Sequence, residues 1–313
     1  MHPYADLGGQ HMEIHHFEHG WVTPAVSYTL SVLGSLLGLI CAVRLRSAHT
    51  GRGRRWWLTL SAVAIGGTGI WTMHFVAMLG FGVSGTPIRY DAALTAASAV
   101  LAIAAVGAGM LIVFGGERAR ALRIVAGGLL AGLGVAAMHY MGMYAMRLNG
   151  EISYGRTRVI ASVVIAVVAA TVALWLTVTV QKPLVIFGAA LIMGIAVNGM
   201  HFTGMAAMTV RAGPPVGVPS GAKATTLLIP IGLTVVFGVL GLVFALMAAP
   251  TDEDRAAAAY LAARLEAGSP AAAAHPAPRT APAPVRPDGT VPQQRGSALG
   301  GATWTYRDRS SRQ

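Results

Sequence analysis

The sequence predicts an all-α membrane protein that crosses the bilayer seven times. Apolar residues make up 54% of the 313 residues and charged residues only 11%, far from the balance of a soluble domain. Seven segments of about 20 or more residues carry no Asp, Glu, Lys or Arg, and each can cross a hydrocarbon core of about 30 Å as a helix. In chain order they are residues 22–43, 56–80, 92–114, 124–146, 159–180, 184–208 and 225–248.

Basic residues predict how these helices are oriented, because cytoplasmic loops concentrate Lys and Arg. Nine basic residues lie around the loops that follow helices one, three and five, against six in the loops that follow helices two, four and six. We therefore expect a multi-pass protein of the bacterial cell membrane, with the N-terminus outside and the C-terminus in the cytoplasm. The formal charge of +11 is scattered over loops and tail, so it does not indicate nucleic-acid binding.

The composition divides the chain into three regions. Residues 1–21 form an extracytoplasmic N-terminus rich in histidine, which either captures metal or has no specific role. Residues 22–248 form the seven-helix membrane domain. Residues 249–313 form a cytoplasmic tail, in which a short helix over 256–267 precedes a Pro-, Ala- and Arg-rich stretch that we expect to be disordered.

A short motif occurs three times in the apolar region. A histidine follows a methionine and precedes an aromatic residue, and a further methionine comes four residues after the histidine. The copies are Met73-His74-Phe75 with Met78, Met138-His139-Tyr140 with Met143, and Met200-His201-Phe202 with Met205. The histidines are 65 and 62 residues apart, each in the second helix of a consecutive pair. The chain therefore reads as three two-helix repeats plus one closing helix.

The three histidines are expected to lie at one depth in the membrane. They come 17, 16 and 18 residues after the cytoplasmic ends of helices two, four and six, which is roughly 25 Å of helical rise. That depth is within about 5 Å of the outer edge of the hydrocarbon core, where we expect water and external solutes to approach.

The residue types in the motif indicate a metal site. A histidine and the methionine four residues later share one helix face, one turn apart. The preceding methionines, Met73, Met138 and Met200, can line an adjoining interface or complete a shell around a bound ion. Imidazole nitrogen together with thioether sulfur favours copper. Any single copy is more simply explained by packing, but three copies at matching depth favour function, because ionisable side chains are costly inside a membrane.

Nearby polar groups leave two interpretations open. Trp71, Asn198 and Thr203 are either hydrogen-bond partners of the site or ordinary contacts between helices. Cys41 is the only cysteine, so a metal site built from cysteines is excluded. The frequent glycines are expected to permit close helix packing.

The three motifs resemble the repeated signature of bacterial MHYT-domain membrane sensors. The sequences Met-His-Phe-Val, Met-His-Tyr-Met and Met-His-Phe-Thr carry the resemblance, which covers about residues 20–248. It implies seven helices, copper held by the histidines and methionines of the motifs, and sensing of oxygen, carbon monoxide or nitric oxide. Ala77 stands where the other two copies have glycine. Many relatives carry a cyclase, phosphodiesterase or kinase output domain, which we do not identify here, so signalling is expected to need a cytoplasmic partner protein.

The sequence therefore predicts a sensor rather than an enzyme. His74, His139 and His201, helped by Met78, Met143 and Met205, would hold a copper ion that a diatomic ligand or a redox change affects. No carboxylate or nucleophile accompanies the histidines within the helices, so hydrolysis is not expected. Two alternatives stay open: a copper transporter or uptake protein, and a protein that binds haem through two of the histidines.

Overall fold

The computed structural model describes residues 12–15, 18, 20–213, 217–249 and 252–267. Its described residues contain seven helices long and apolar enough to cross a membrane, which confirms the predicted polytopic all-α fold. These are α1 (Val22–Arg46), α2 (Gly51–Met78), α3 (Ala92–Phe114), α4 (Arg120–Tyr144), α5 (Arg156–Thr179), α6 (Pro183–Met205) and α7 (Ala224–Met247). The chain divides into two compact units at Pro250, and the described part of the second unit is helix α8 (Asp252–Ala267).

Helix α2 begins five residues before its predicted start, at Gly51 instead of residue 56. Thr50 caps it, because its hydroxyl accepts a hydrogen bond from the backbone N–H of Gly53 at 3.1 Å. The first turns contain three arginines, so the uncharged segment begins only after them. Helix α3 has the bounds that the sequence predicted.

The first six helices form a closed ring. Each packs against its neighbours in sequence, and α1 closes the ring by packing against α6. Helix α7 lies outside the ring against α2 and α1, and Leu242 is its one buried residue among those described. The seventh helix therefore does not complete the ring, which the three helix pairs form by themselves.

Glycines allow the close approach of neighbouring helices that the sequence predicted. A Cβ atom on Gly34 of α1 would lie 2.2 Å from the backbone nitrogen of Gly69 in α2. A Cβ atom on Gly132 of α4 would lie 2.4 Å from the Cα atom of Val167 in α5. Side chains at these positions would force the helix backbones apart.

Helix α2 contains an irregular segment that the sequence did not predict. Residues Val63–Thr72 form a π-helix, in which N–H groups bond to carbonyls five residues earlier, between α-helical segments Gly51–Ala62 and Met73–Met78. The Thr72 hydroxyl donates to the Gly67 carbonyl, also five residues earlier, at 3.0 Å. This segment directly precedes the first motif.

Short antiparallel strands join the loops at one end of the ring. Strand β1 (Ile14–His15) pairs with β2 (Gly82–Val83), and β5 (Gly150–Tyr154) pairs with β6 (Met208–Ala212). Strand β3 (Arg89–Tyr90) lies between β4 (Met146–Arg147) and β7 (Ala222–Lys223). The sequence did not predict these strands. We call this end of the ring the strand end. The opposite end, with loops 47–50, 115–119 and 180–182, is called the arginine end. The orientation of the two ends across the membrane stays a prediction.

Polar side chains fasten both ends of the ring. At the strand end, Asp91 caps α3 by accepting hydrogen bonds from the N–H groups of Ala93 and Leu94, both at 3.1 Å. Its other oxygen accepts a bond from Arg147 at 2.9 Å, and this hydrogen bond, with those from the helix N–H groups, lowers the pKa of Asp91. At the arginine end, the guanidinium of Arg46 donates to the carbonyls of Thr177 and Val180, joining the end of α1 to the end of α5.

Candidate metal centre

The three motif histidines meet at the centre of the ring. Helices α2, α4 and α6 each contribute one, and their possible ligand atoms lie within 4.8 Å of one another. The Nδ1 atom of His74 lies 3.0 Å from Nδ1 of His201 and 3.1 Å from Nδ1 of His139. The ring centroids are 4.9 to 5.2 Å apart and the rings meet edge to face. We call these three residues the histidine trio.

Neutral imidazoles arranged in this way cannot satisfy one another fully. An imidazole Nδ1 atom presents either one hydrogen or one lone pair. The Nδ1 atom of His74 faces two other Nδ1 atoms, so it cannot complete a good hydrogen bond with both. A cation that accepts a lone pair from each ring would remove this conflict. The nitrogen donor set therefore fits a metal ion such as copper or zinc.

Glycines pack directly against the imidazole rings of two of the histidines. A Cβ atom on Gly142 would lie 2.3 Å from Nε2 of His74, and one on Gly204 would lie 2.3 Å from Nε2 of His139. Both glycines come three residues after a motif histidine, and Ala77 holds that position in the first copy. Within the described part of the chain, Nε2 of His74 and Nε2 of His139 have no hydrogen-bond partner. Backbone packing, instead of polar contacts, thus fixes these ring edges.

The methionines of the motifs separate into two groups. Met78, Met143 and Met205, one turn beyond the histidines, are buried together on the side of the trio that faces the strand end. Met138 and Met200 belong instead to the apolar core of the ring, and Met73 is also buried. The structure thus brings the three later methionines together as one layer, as their spacing predicted.

A cap of loop residues covers this methionine layer. The same buried group contains Met146 and Met208, seven residues after their histidines, and Phe81 at the equivalent position of the first repeat. Tyr90 is buried there too, and its hydroxyl donates to the Met78 carbonyl at 3.4 Å. Burial and the nearby Glu18 carboxylate raise the pKa of Tyr90, so the phenol stays neutral at physiological pH.

The trio is more enclosed than its predicted depth suggested. The exposed fractions of His74, His139 and His201 are 3%, 0% and 1%. We expected water and external solutes to approach the histidines, whereas the strands and the loops between helices fold over the motif end of the ring and cover them. Sequence depth alone does not reveal a cap built from short loop strands.

The neighbouring polar residues bond to other groups. Trp71 donates to the Ser98 hydroxyl at 2.9 Å, and Thr203 donates to the Gly199 carbonyl of its own helix at 2.7 Å. The Asn198 amide accepts from the Ser27 hydroxyl at 3.1 Å and donates to Ser31 at 3.0 Å, which joins α6 to α1. These residues therefore make ordinary contacts within and between helices, and these hydrogen bonds go to groups outside the histidine trio.

Of the five N-terminal histidines, His15 is the one that the described part of the structure includes. His15 lies in β1, is exposed, and its Nε2 atom is 3.0 Å from the Ser84 hydroxyl. His2, His11, His16 and His19 lie outside the described residues, as does the stretch 269–313 that was expected to be disordered. The short helix predicted over 256–267 falls within α8.

Comparison with protein families identifies the repeats. The family model described as MHYT, bacterial signalling protein N-terminal repeat, matches residues 67–127, 132–190 and 194–262, which is more than half of the chain. The chain belongs to the MHYT family. Each matched range contains one motif and extends through the whole of the following membrane helix. The resemblance to MHYT-domain proteins that the motifs indicated is therefore confirmed. The chain is a signalling sensor domain of this family.

Curated relatives are signalling proteins that extend well beyond the matched region. The chain is 40% identical over 191 residues to the bifunctional diguanylate cyclase/cyclic di-GMP phosphodiesterase MucR of Pseudomonas aeruginosa, covering 59% of this chain and 27% of that protein. The cyclic di-GMP phosphodiesterase NbdA of the same organism is 36% identical, with 55% and 23% covered. The signaling protein YkoW of Bacillus subtilis is 30% identical, with 51% and 20% covered. The match thus spans about a quarter or less of each relative. No solved structure matches the chain.

Two features of the site escaped the sequence analysis. The packing of Gly142 and Gly204 against histidine rings was not predicted, although the small residue three positions after each histidine was visible in all three copies. The π-helical segment before His74 left no signal that we can identify in one sequence.

Proposed function

We propose that the protein is a metal-dependent membrane sensor in which the histidine trio holds a copper ion. The observation that carries the proposal is the contact of Nδ1 atoms from three separate helices at 3.0 to 3.1 Å, with one nitrogen facing two others. A bound copper ion would supply a centre whose charge and coordination respond to oxygen, carbon monoxide, nitric oxide or redox state. The layer of Met78, Met143 and Met205 adds thioether sulfur on the strand side, which favours Cu(I).

The protein's own residues supply the fixed geometry of this site. Gly142 and Gly204 allow the helix backbones to pack directly on the ring edges, and the cap excludes water from the methionine layer. The trio therefore sits in a water-poor environment that an aqueous solute does not reach directly. Such burial strengthens electrostatic interactions between the rings and a bound cation.

Helix α2 offers a route from the site to a signalling partner. Its π-helical segment lies between His74 and the arginine end, and α7 packs on that segment from outside the ring. Ala64 of the π-segment and Leu242 of α7 belong to one buried apolar group. We propose that a change in coordination at His74 shifts α2 against α7, and that a cytoplasmic partner detects the shift. The relatives' names point to cyclic di-GMP signalling as the pathway.

Metal content tests the proposal. Protein purified from membranes, loaded with copper and washed should retain about one copper ion per chain, and the variant with His74, His139 and His201 all changed to alanine should retain little. A variant with His15→Ala and His49→Ala, which removes two exposed histidines, is the matched control and should bind like the wild type. Melting temperatures show that each variant is folded. Equal copper retention by the wild type and the trio variant would refute the metal site.

The two alternatives make different predictions. A transporter needs polar groups beyond the site, whereas on the arginine side the residues four positions before each histidine are Ile70, Val135 and Val197. Uptake of radioactive copper into proteoliposomes would favour transport. Haem ligation needs two nitrogens on opposite sides of one iron, and at 3.0 Å the paired Nδ1 atoms leave no room for a porphyrin between them. A Soret band in the purified protein would favour haem.

A further inference from the structure

An apolar cavity lies near the histidine trio, on the arginine side of the ring. Ile70, Val135 and Val197 each come four residues before a motif histidine, and all three line this cavity. Residues four apart on a helix share a face, one turn apart, so the cavity lies about one helical turn from the trio on its arginine side. Met200, which precedes His201, also lines it. The trio therefore has the methionine layer on one side and, about one turn away on the other side, an apolar cavity.

The cavity has the size and chemistry to hold a small apolar molecule. Its volume is about 40 Å³, against roughly 10–15 Å³ that one water needs on the same measure. Apart from Ser35, every lining residue is apolar, and five of them are alanines: Ala166, Ala169, Ala170, Ala173 and Ala196. Water in a protein needs two to four polar partners, whereas apolar cavities stay dry and take up xenon or small hydrocarbons.

A groove on the outer surface of the ring lies next to the cavity. The groove lies between α5 and α6, where Val164, Val168 and Ile192 are exposed to the surrounding bilayer. The groove and the cavity share Ala169, Met193 and Ala196 as lining residues. Ala169 and Ala196 are half-buried, whereas Ile70, Val135 and Met200, which line the cavity but not the groove, are buried. Small side chains thus separate the membrane interior from the space under the trio.

We propose that this cavity binds a small uncharged apolar molecule, of the size of xenon or a diatomic gas, which enters from the bilayer between α5 and α6. The cap closes the trio on the strand side, so a molecule in the cavity would approach the histidines from the arginine side, past Ile70, Val135 and Val197. The cavity site itself stands independently of a bound metal. Delivery of a ligand to a metal at the trio rests on the proposed function. The ligand would arrive from hydrocarbon, where apolar gases are more soluble than in water.

Xenon tests the cavity in the metal-free chain. Crystals pressurised with xenon should show a xenon atom within the space lined by Val135, Ala170 and Met200. Ala170→Leu should fill the cavity and remove the xenon, and Ala173→Leu provides a second filled variant if the first does not fold. Xenon should also shift the ¹⁵N signals of the trio histidines in the wild type but not in the filled variant. A wild-type cavity without xenon would overturn the proposal.

The exchange rate of xenon tests the route. The double variant Ala169→Phe with Ala196→Phe places two rings at the junction of groove and cavity, and ¹²⁹Xe exchange should slow at least tenfold. Ala104→Phe, at an exposed alanine of α3 away from the groove, is the matched control and should exchange like the wild type. Unchanged exchange in the double variant would refute entry between α5 and α6. Because no metal is present, these outcomes are separate from the result of the copper experiment.

Discussion

Replacing Gly142 with alanine should displace a histidine of the trio without removing any proposed ligand. The added Cβ atom would lie 2.3 Å from Nε2 of His74, and 3.1 and 3.3 Å from the adjacent ring carbons. Ordinary contact begins near 3.4 Å, so the Nε2 atom must retreat by about 1.1 Å, from 2.3 to 3.4 Å. The ring cannot retreat freely, because its opposite edge already contacts His201 and His139 at 3.0 and 3.1 Å.

The size of this displacement sets the expected loss of binding. Ligand distances in a functional metal site hold to about ±0.2 Å, so a shift near 1 Å lies far outside the tolerance. Changes to groups that orient metal ligands typically cost 10- to 100-fold in metal affinity. We therefore expect Gly142→Ala to weaken copper binding by at least tenfold. Competition against a chromogenic copper chelator measures this change directly.

Two control variants separate displacement of the ring from a general effect of alanine. Gly199 of α6 has nothing within 4 Å of its ideal Cβ position, so Gly199→Ala should leave copper affinity and melting temperature unchanged. Ala77→Gly enlarges the equivalent position of the first repeat and should not weaken binding. If Gly142→Ala folds, and binds copper within threefold of the wild type, then the reasoning that backbone packing positions the trio is wrong.

Three further predictions concern the ring that supports the site. Asn198→Ala should lower the stability of the ring by about 1 kcal/mol, measured by unfolding in mixed micelles, because it removes two bonds between helices that are each worth about 0.6 kcal/mol in membranes; unchanged stability would contradict this. Arg46→Ala should lower the melting temperature more than Arg44→Ala, since Arg46 bonds two carbonyls at the end of α5; equal losses would argue against that anchor. The bonds that lower the pKa of Asp91 stabilise the fold above its unfolded-state pKa of about 3.9, and this contribution is lost as pH falls through the lower folded-state pKa. Melting temperature should therefore fall on acidification in the wild type, and fall less in Asp91→Asn, which already lacks the carboxylate; parallel curves would refute this role.

The sequence predicts the helices well because membrane crossing imposes a simple rule. Each span needs about 20 uncharged residues, and the bounds of α3 follow directly from the uncharged segment 92–114. The rule misplaces the end of a helix that contains charged residues. At the start of α2, Thr50 caps a helix whose first turns carry arginines. The strands were missed because segments such as Gly82–Val83 are too short for an alternating pattern.

The convergence of the site was also predictable, but its surroundings were not. The similar spacing and depth of His74, His139 and His201 indicate that they can meet if the repeats close into a ring. Which residues close the remaining space depends on how the helices rotate and cross. The contact between Gly142 and His74 crosses from one repeat to the next, and periodicity along one helix does not reveal such a contact.

The three repeats are equivalent in their motifs and unequal in their surroundings. The first repeat has Ala77 where the others have glycine, Phe81 where the others have methionine, and a π-helical segment ahead of His74. His74 is also the ring whose Nδ1 atom faces two other nitrogens. Helix α7 packs on this same helix, outside the ring. A three-fold site responds equally in all its helices only if its repeats are alike. In the proposed sensor, these differences make α2 the helix that transmits a change at the trio to α7 outside the ring.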